Sequence, residues 1–418
     1  MNRQSLRVQW TQLTVLSGVH FLVDMLGNLC PAILPVVLKE YGITLLIGVS
    51  IPILLSLVAN GVQILTGRMR PDKSTPFFLH IGMILAGAMC LIALAPRSLA
   101  GVLLLFALGI ISGTGVAVAH PEGLRAVHTL DGIPPSLSTA VFMTTGFFGF
   151  ACGGMISAVL VSAHGLKGLY PLAVFPIAGI IAVALSRVHL SVEKRDVPVG
   201  GGQSTRQTGS VPFWKVLLIG IPAGVSTTIL QQLTPTYLHE LGFDLTFGGS
   251  STAVLGWGGA VGPFLWAALA HRKGDLLCSV WAFALSIPFM VLYLVFDDRP
   301  AAAWLLFGVG FSSTSAYVLT VTLAREAKGL NLGHRMALIV GGTWGISMLI
   351  YLVFAGIADV IGVGPVLKVT PAGYLLSAIF AYYVLRQHPE SVRRFRATPA
   401  IDLPGGARPA VQSRMPQV

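Results

Sequence analysis

The sequence predicts an all-α membrane protein with twelve transmembrane helices, arranged as two six-helix bundles related by pseudo-symmetry. The observations behind this prediction are an apolar composition, regularly spaced apolar segments and an internal repeat. The 418-residue chain is 54% hydrophobic and only 10% charged, whereas soluble domains carry about 25% charged residues. Too few charges are present to cover a surface in water, so lipid is the expected solvent.

Apolar stretches long enough to cross a hydrocarbon core, which takes about 20 residues, recur along the whole chain. The predicted spans are 13–38, 44–66, 76–95, 98–120, 138–163, 169–189, 213–238, 246–270, 276–296, 301–324, 335–360 and 365–386. A Gly-rich, charged stretch separates the sixth span from the seventh, and an Arg- and Pro-rich stretch ends the chain. We therefore predict an N-terminal bundle (1–190), a cytoplasmic linker (191–212), a C-terminal bundle (213–386) and a disordered cytoplasmic tail (387–418).

The basic residues indicate how the chain is oriented. The formal net charge is +11, but Lys and Arg lie in short clusters between apolar segments, a pattern of membrane topology that argues against a nucleic-acid partner. With both termini inside, the outer side of the membrane receives few of the 27 Lys and Arg residues, namely Lys39, Arg97, Lys167, Arg299 and Lys368. We therefore expect a multi-pass protein of the inner (cytoplasmic) membrane with both termini in the cytoplasm.

An internal repeat relates the two bundles. Pro35–Gly42 (PVVLKEYG) and Pro235–Gly242 (PTYLHELG) share the pattern P-x-x-L-(K/H)-E-x-G at an offset of 200 residues. Lys73 and Lys273, each after a basic run in the next inner loop, keep the same offset. Duplication of a six-helix unit explains a match that holds its register across two helices.

The first span carries a polar stripe through an otherwise apolar helix. His20 and Asp24 lie one turn apart on one face, and Ser17 and Asn28 extend the stripe. A carboxylate at membrane depth costs a few kcal/mol unless it faces a cavity or a partner. We interpret Asp24 and His20 as a proton-coupling pair and Asn28 as a cavity residue; the alternative is a structural hydrogen-bonded pair.

A second candidate group lies at the end of the fourth span, in the segment HPEGLR. Arg125 can hold an anionic group bidentately, and Glu122 can pair with it along one helical face. The alternative is that His120, Glu122 and Arg125 cap the helix and lock a gate between helices. Arg325 and Glu326 occupy the corresponding place in the second half, where we expect a structural or gating role.

The seventh span is the repeat partner of the first and carries Gln231 and Gln232 beside Thr228 and Pro235. These side chains are interpreted as lining a substrate cavity, or alternatively as hydrogen bonding across helices. No phosphate-cradling loop and no residue cluster with metal-ligand spacing is present in the sequence. We therefore expect no enzyme activity, no cofactor and no metal site.

The chain resembles the major facilitator superfamily in its six-plus-six arrangement, and within it the fosmidomycin-resistance family of drug exporters. The matching segments are Gly18–Asp24 (GVHFLVD), His120–Arg125 (HPEGLR), Ala324–Glu326 (ARE), Gly341–Gly345 (GGTWG) and Gly356–Asp359 (GIAD). The loop Gly67–Lys73 departs from the superfamily's basic motif, because its acid is displaced and a later glycine and arginine are missing.

The resemblance implies a transporter of small molecules that works as a monomer in the bilayer. The expected function is proton-coupled efflux of a small anionic or amphiphilic compound such as a fosmidomycin-like phosphonate. Two alternatives remain open at this point: proton-coupled uptake or exchange of a small metabolite, and a non-transporting membrane sensor or assembly partner. The intramembrane Asp24 and His20 argue against the last of these.

Overall fold

The computed structural model describes residues 5–69, 72–192, 211–330 and 332–389. Within these residues, eleven helical runs are long and apolar enough to cross a membrane. One of them, Leu137–Leu185, has 49 residues, about twice the length that one crossing needs. It covers the fifth predicted span and most of the sixth. An α-helix ends inside it at His164, and the next residue, Gly165, has a φ of +62°, which favours glycine. The described helices thus accommodate twelve crossings, and that number remains a prediction.

In the described part of the first half there are seven α-helices and two 3₁₀ segments. The α-helices are α1 (Leu6–Gly27), α2 (Cys30–Tyr41), α3 (Leu45–Met69), α4 (Phe77–Ala86), α5 (Leu99–Val127), α6 (Pro135–His164) and α7 (Phe175–Leu185). The 3₁₀ segments Gly87–Leu94 and Gly165–Val174 extend α4 and precede α7, and they pack against each other.

In the second half, the described residues form eight α-helices, and the first three of these are long. They are α8 (Phe213–Glu240), α9 (Leu245–Lys273), α10 (Asp275–Val295), α11 (Leu305–Glu326), α12 (Leu332–Ala337), α13 (Thr343–Ile361), α14 (Val363–Leu367) and α15 (Thr370–Gln387). A 3₁₀ turn, Pro300–Trp304, precedes α11, and a π-helical turn, Leu338–Gly342, joins α12 to α13.

The predicted first span is two helices rather than one. α1 ends at Gly27, and Asn28 caps it with a backbone N–H that donates to the carbonyl of Met25 (3.2 Å). α2 begins two residues later with Pro31 in its first turn, where the missing N–H of proline costs nothing. Its repeat partner α8 continues unbroken past Pro222 and Pro235.

The repeat is visible at the ends of these spans. Gly42 follows α2 with φ +60°, and Gly242 follows α8 with φ +89°, a left-handed backbone that glycine adopts without strain. We call this end of the bundle the far end. The opposite end, where α7 stops and α8 begins, is called the linker end. The predicted linker between 193 and 210, and the predicted tail from 390 onward, lie outside the described residues.

Within the described residues, the two halves meet mainly where α6 packs on α9, α3 on α13 and α2 on α8, with a smaller contact between α2 and α9. Under the offset of 200, α3 corresponds to α9 and α6 to α13, so the first two pairs are equivalent contacts. Leu45 belongs to the apolar core of the second half, and its counterpart Leu245 belongs to a core of the first half. The far end is therefore closed by reciprocal apolar packing.

Candidate functional site

The candidate site is centred on Asp24, in the interior of the helical run Leu6–Tyr41. As the spacing predicts, Asp24 and His20 lie on one face of α1, with His20 Nε2 3.3 Å from Asp24 Oδ2. The His20 side chain is 4% exposed and that of Asp24 is 17% exposed. Asp24 thus has a partner at membrane depth.

His120 supplies a second partner that the sequence does not reveal. The helix expected to end at His120 continues through Pro121 to Val127, so His120 lies inside α5. Its Nε2 is 2.9 Å from Asp24 Oδ1, and its ring meets that of His20 edge-on, with centroids 4.9 Å apart. The carboxylate of Asp24 therefore joins two imidazoles from different helices, one on each oxygen.

The other nitrogen of each ring contacts a backbone carbonyl. His20 Nδ1 is 2.7 Å from the carbonyl oxygen of Phe142, and His120 Nδ1 is 2.8 Å from that of Val116. A carbonyl oxygen only accepts hydrogen bonds, so each Nδ1 must carry a hydrogen. Each Nε2 that faces Asp24 is therefore an acceptor in the neutral ring and a donor only in the imidazolium.

Helix α6 encloses the cluster from a third side. The ring of Phe142 stacks on His20 with centroids 4.1 Å apart. Gly146 lies so close that a Cβ built on it would stand 2.6 Å from both Asp24 Oδ2 and His20 Nε2. The adjoining apolar cavity between His20, His120 and Phe142 has a volume of about 10 Å³, too small to admit a substrate. Glycine at position 146 is therefore required for the cluster to form.

His20, Asp24 and His120 are also of the residue types that bind metal ions, and their nearest ligand atoms lie within 4.8 Å of one another. No metal site was expected from the sequence, because His120 is distant from the other two along the chain. A tetrahedral zinc ion would hold its N and O ligands about 3.3 Å apart. The 2.9 Å contact between His120 and Asp24 is shorter and fits a direct hydrogen bond.

Glu122 and Arg125 hold α5 to neighbouring segments at the linker end. Glu122, 2% exposed, accepts a hydrogen bond from the backbone N–H of Leu79 (2.9 Å), in the first turn of α4. Arg125 donates through Nη2 to the carbonyl oxygens of Ser191 (2.6 Å) and Lys73 (2.9 Å). These contacts match the capping and locking alternative for the two residues.

Arg335, in the second half, is not among the candidate residues predicted from the sequence. It is 3% exposed and donates to the carbonyl oxygens of Arg325 (2.9 Å) and Leu330 (2.7 Å). Arg325 and Glu326 end α11 as predicted. A buried guanidinium thus holds together the turn that follows them.

The remaining candidates lie apart from the histidine contacts of Asp24. Asn28 donates to the carbonyl oxygen of Phe150 (2.7 Å), which ties the end of α1 to α6. On α8, Gln232 is buried and Gln231 is partly exposed. The hydrogen bonds of the cluster involve only α1, α5 and α6, all in the first half.

Comparisons with known proteins agree with this architecture. No protein-family profile matches the chain. It is 31% identical over 180 residues to the fosmidomycin resistance protein of Escherichia coli (strain K12), a match that covers 43% of each chain, less than half of the relative's length. It is 23% identical over 365 residues to the uncharacterized MFS-type transporter YfnC of Bacillus subtilis (strain 168), covering 84% of this chain and 88% of that one.

A solved structure has the same fold. The crystal structure of the nucleoside transporter NupG superposes with a TM-score of 0.70, covering 90% of this chain and 99% of that chain at 12% identity. This likeness confirms the helical architecture expected from the sequence. The resemblance to the fosmidomycin-resistance family and to the major facilitator superfamily is confirmed by the two relatives named above.

Proposed function

From the premise that the chain is a multi-pass transporter with the major facilitator fold, and not an enzyme, we propose that it couples proton movement to the export of a small anionic or amphiphilic compound. The observation that carries the proposal is the contact of Asp24 with two histidines whose Nδ1 atoms are committed to carbonyl oxygens. We further propose that it lies in the inner membrane with both termini in the cytoplasm.

The contact geometry supports a mobile proton in the cluster. Neutral His120 and ionised Asp24 would place two acceptors 2.9 Å apart, which is repulsive unless a proton lies between them. The cluster is neutral with one mobile proton, because either Asp24 or one histidine carries it, and has a charge of +1 with two. Loss of the last proton leaves a charge of −1 and breaks the link between α1 and α5.

Proton number is in this way tied to helix packing. The described titratable groups facing Asp24 are His20 on its own helix and His120 on α5, while α6 presents Gly146 and Phe142. Release of the last proton frees α1 to move against α5, and uptake draws the helices together. An alternating-access transporter needs such a link between ion binding and helix arrangement.

The class of compound rests on the similarity to the E. coli fosmidomycin resistance protein. Fosmidomycin, an anionic phosphonate, is therefore the first compound to test. We propose that Arg125 anchors the end of α5 rather than binding the anion, and its donation to the carbonyls of Lys73 and Ser191 supports this role.

The decisive experiment measures fosmidomycin flux in proteoliposomes driven by a pH gradient. Antiport accumulates the compound on the acidic side and symport on the alkaline side, so the sign separates export from uptake. Asp24→Asn resembles the protonated carboxyl and cannot cycle, so gradient-driven flux should fall to background while the protein folds normally. The matched control is Asp298→Asn, an exposed carboxylate outside the helices, which should keep wild-type flux.

Full gradient-driven flux in Asp24→Asn, at matched reconstituted amounts, would remove Asp24 from the mechanism. Absence of fosmidomycin flux in the wild-type protein would contradict the compound class. Resistance to fosmidomycin in cells that express the chain, lost in Asp24→Asn, is the corresponding growth measurement.

A further inference from the structure

At the far end, a carboxylate of the second half sits on the first turn of a helix of the first half. Asp359, in the last turn of α13, accepts the backbone N–H of Leu45 with Oδ1 (2.8 Å) and that of Leu46 with Oδ2 (2.9 Å). These are the first two free N–H groups of α3. A helix N-terminus carries a partial positive charge and unpaired donors, so a carboxylate placed there makes charge-assisted hydrogen bonds.

The two halves differ at this point although their apolar contacts are reciprocal. At the start of α9, the N–H of Phe247 is capped by Asp244 of the same half (2.7 Å). The residue equivalent to Asp244 in the first half is Thr44, whose hydroxyl reaches the N–H of Ile47 only at 3.4 Å. The carboxylate that serves α3 is therefore supplied across the interface between the halves.

Apolar side chains of α3 pack against the second half around the contact with Asp359, at the far end. Leu46 lies over Gly356, one turn before Asp359, about 3.9 Å from the position of an added Cβ. Leu45 and Val49 of α3 are buried in the apolar core of the second half. Separation of α3 from α13 would expose these side chains and leave both N–H groups of α3 without Asp359.

We propose that Asp359 is the polar latch of the far end, which holds α3 against α13 and favours the conformation closed on that side. The proposal rests on the two halves moving against each other, as the proposed transport function requires. Because the latch joins backbone N–H groups of one half to a side chain of the other, its loss leaves each half intact and shifts only their relative arrangement.

The test is the labelling rate of a buried reporter, Val49→Cys, by a maleimide in nanodiscs, in a background whose four cysteines are replaced by alanine. Val49 is 0% exposed, so it reacts only when α3 leaves α13. Asp359→Asn should accelerate labelling roughly three- to thirtyfold, the range expected for loss of a charged acceptor at a helix end. The assay reads neither transport nor orientation, so its failure is distinct from failure of the proposed function.

Two further variants separate a latch from a simple helix cap. Asp244→Asn removes the charge from the cap of α9 within one half, as Asp359→Asn does across the interface, and should leave the labelling rate unchanged. Thr44→Asp combined with Asp359→Asn gives α3 a local cap like that of α9, and should label as fast as Asp359→Asn alone. An unchanged rate in Asp359→Asn, an equal rise in Asp244→Asn, or a wild-type rate in the double variant would each overturn the proposal.

Discussion

The contact of α1 with α6 and that of α8 with α13 are related by the internal repeat, and we call them the first and the second seam. The two seams are built from opposite arrangements of side chains. In the first seam, α1 supplies His20 and Asp24, and α6 supplies glycine at position 146. In the second seam, the positions offset by 200 are Gly220 and Gly224 on α8, and the polar groups are on α13. A Cβ built on Gly224 would stand 2.7 Å from the hydroxyl of Ser347.

The comparison indicates that the two halves share a way of packing helices closely but not the chemical type of the polar side chains involved. Each seam pairs glycine on one helix with polar side chains on the other, so the backbones approach closely. Of the described side chains that face these glycines, those of the first seam can ionise, whereas hydroxyls such as those of Ser347 and Thr343 do not ionise at physiological pH. The proposed proton site therefore belongs to one half, whereas close packing of glycine against polar side chains occurs in both.

The largest expected effect concerns orientation, since the comparison requires both halves to enter the membrane from the same side. A reporter active only in the cytoplasm should work when fused near Gly202 or after Gln387 and should fail near Gly165 or Asp298. We expect this result because most Lys and Arg residues lie in the loops assigned to the cytoplasmic side. Enzymatic activity of the Gly165 fusion would contradict the topology and the equivalence of the halves.

The next prediction compares His120 with Thr320, its counterpart at the offset of 200. His120→Gln keeps a donor near Asp24 but cannot carry the mobile proton, so gradient-driven flux should fall roughly tenfold or more, as for loss of a proton-transfer group. Thr320→Val preserves the shape of a buried residue whose hydroxyl donates to the carbonyl of Tyr317 (2.7 Å). Its flux should change by less than about threefold. Equal losses in both variants would mean that packing, not titration, explains His120.

Stability should distinguish the two glycines. Gly146→Ala places a methyl group against the charged cluster, which cannot turn away without losing its hydrogen bonds, and should destabilise by about 1–3 kcal/mol. Gly224→Ala meets the hydroxyl of Ser347, which can rotate away, and a methyl group of Thr343 at 3.3 Å, so the cost should be below about 1 kcal/mol. Thermal unfolding midpoints in detergent give the comparison. Adding Ser347→Ala should restore the stability of Gly224→Ala and should leave that of Gly146→Ala unchanged. A larger loss of stability in Gly224→Ala than in Gly146→Ala would contradict the difference between the two seams.

The smallest effect is expected at Asp244, the local cap of α9. Its pKa is held below the usual range by hydrogen bonds from the hydroxyl of Thr246 and the N–H of Phe247. Because the pKa of Asp244 is lower in the folded protein, its ionised carboxylate stabilises the fold above the unfolded-state pKa of 3.8. This stabilisation is lost as the pH falls through the folded-state pKa. Asp244→Asn keeps a capping oxygen but removes the charge, so it should lower the free energy of unfolding by about 0.3–1 kcal/mol at pH 7 and hardly at all in strong acid. A loss that persists at low pH would indicate another role.

The interactions within one helix could be predicted from the sequence, and those between helices could not. His20 and Asp24 are paired by helical spacing alone, so their contact was predictable. The predicted grouping of His120 with Glu122 and Arg125 was incomplete, because adjacency in sequence concealed that His120 faces α1 while Glu122 reaches α4. The break at Asn28 was also missed, since hydropathy does not distinguish one helix from two in line.

The sequence by itself determined that the chain is a bundle of membrane helices in two related halves, because apolar length, charge distribution and an offset of 200 residues are properties of the linear chain. Only the tertiary structure decided that Asp24 is shared by two histidines and that Asp359 serves a helix of the other half. Both contacts join residues far apart in sequence. Their formation depends on how close two helices approach and how they are rotated, which is set by the packing of many small side chains together.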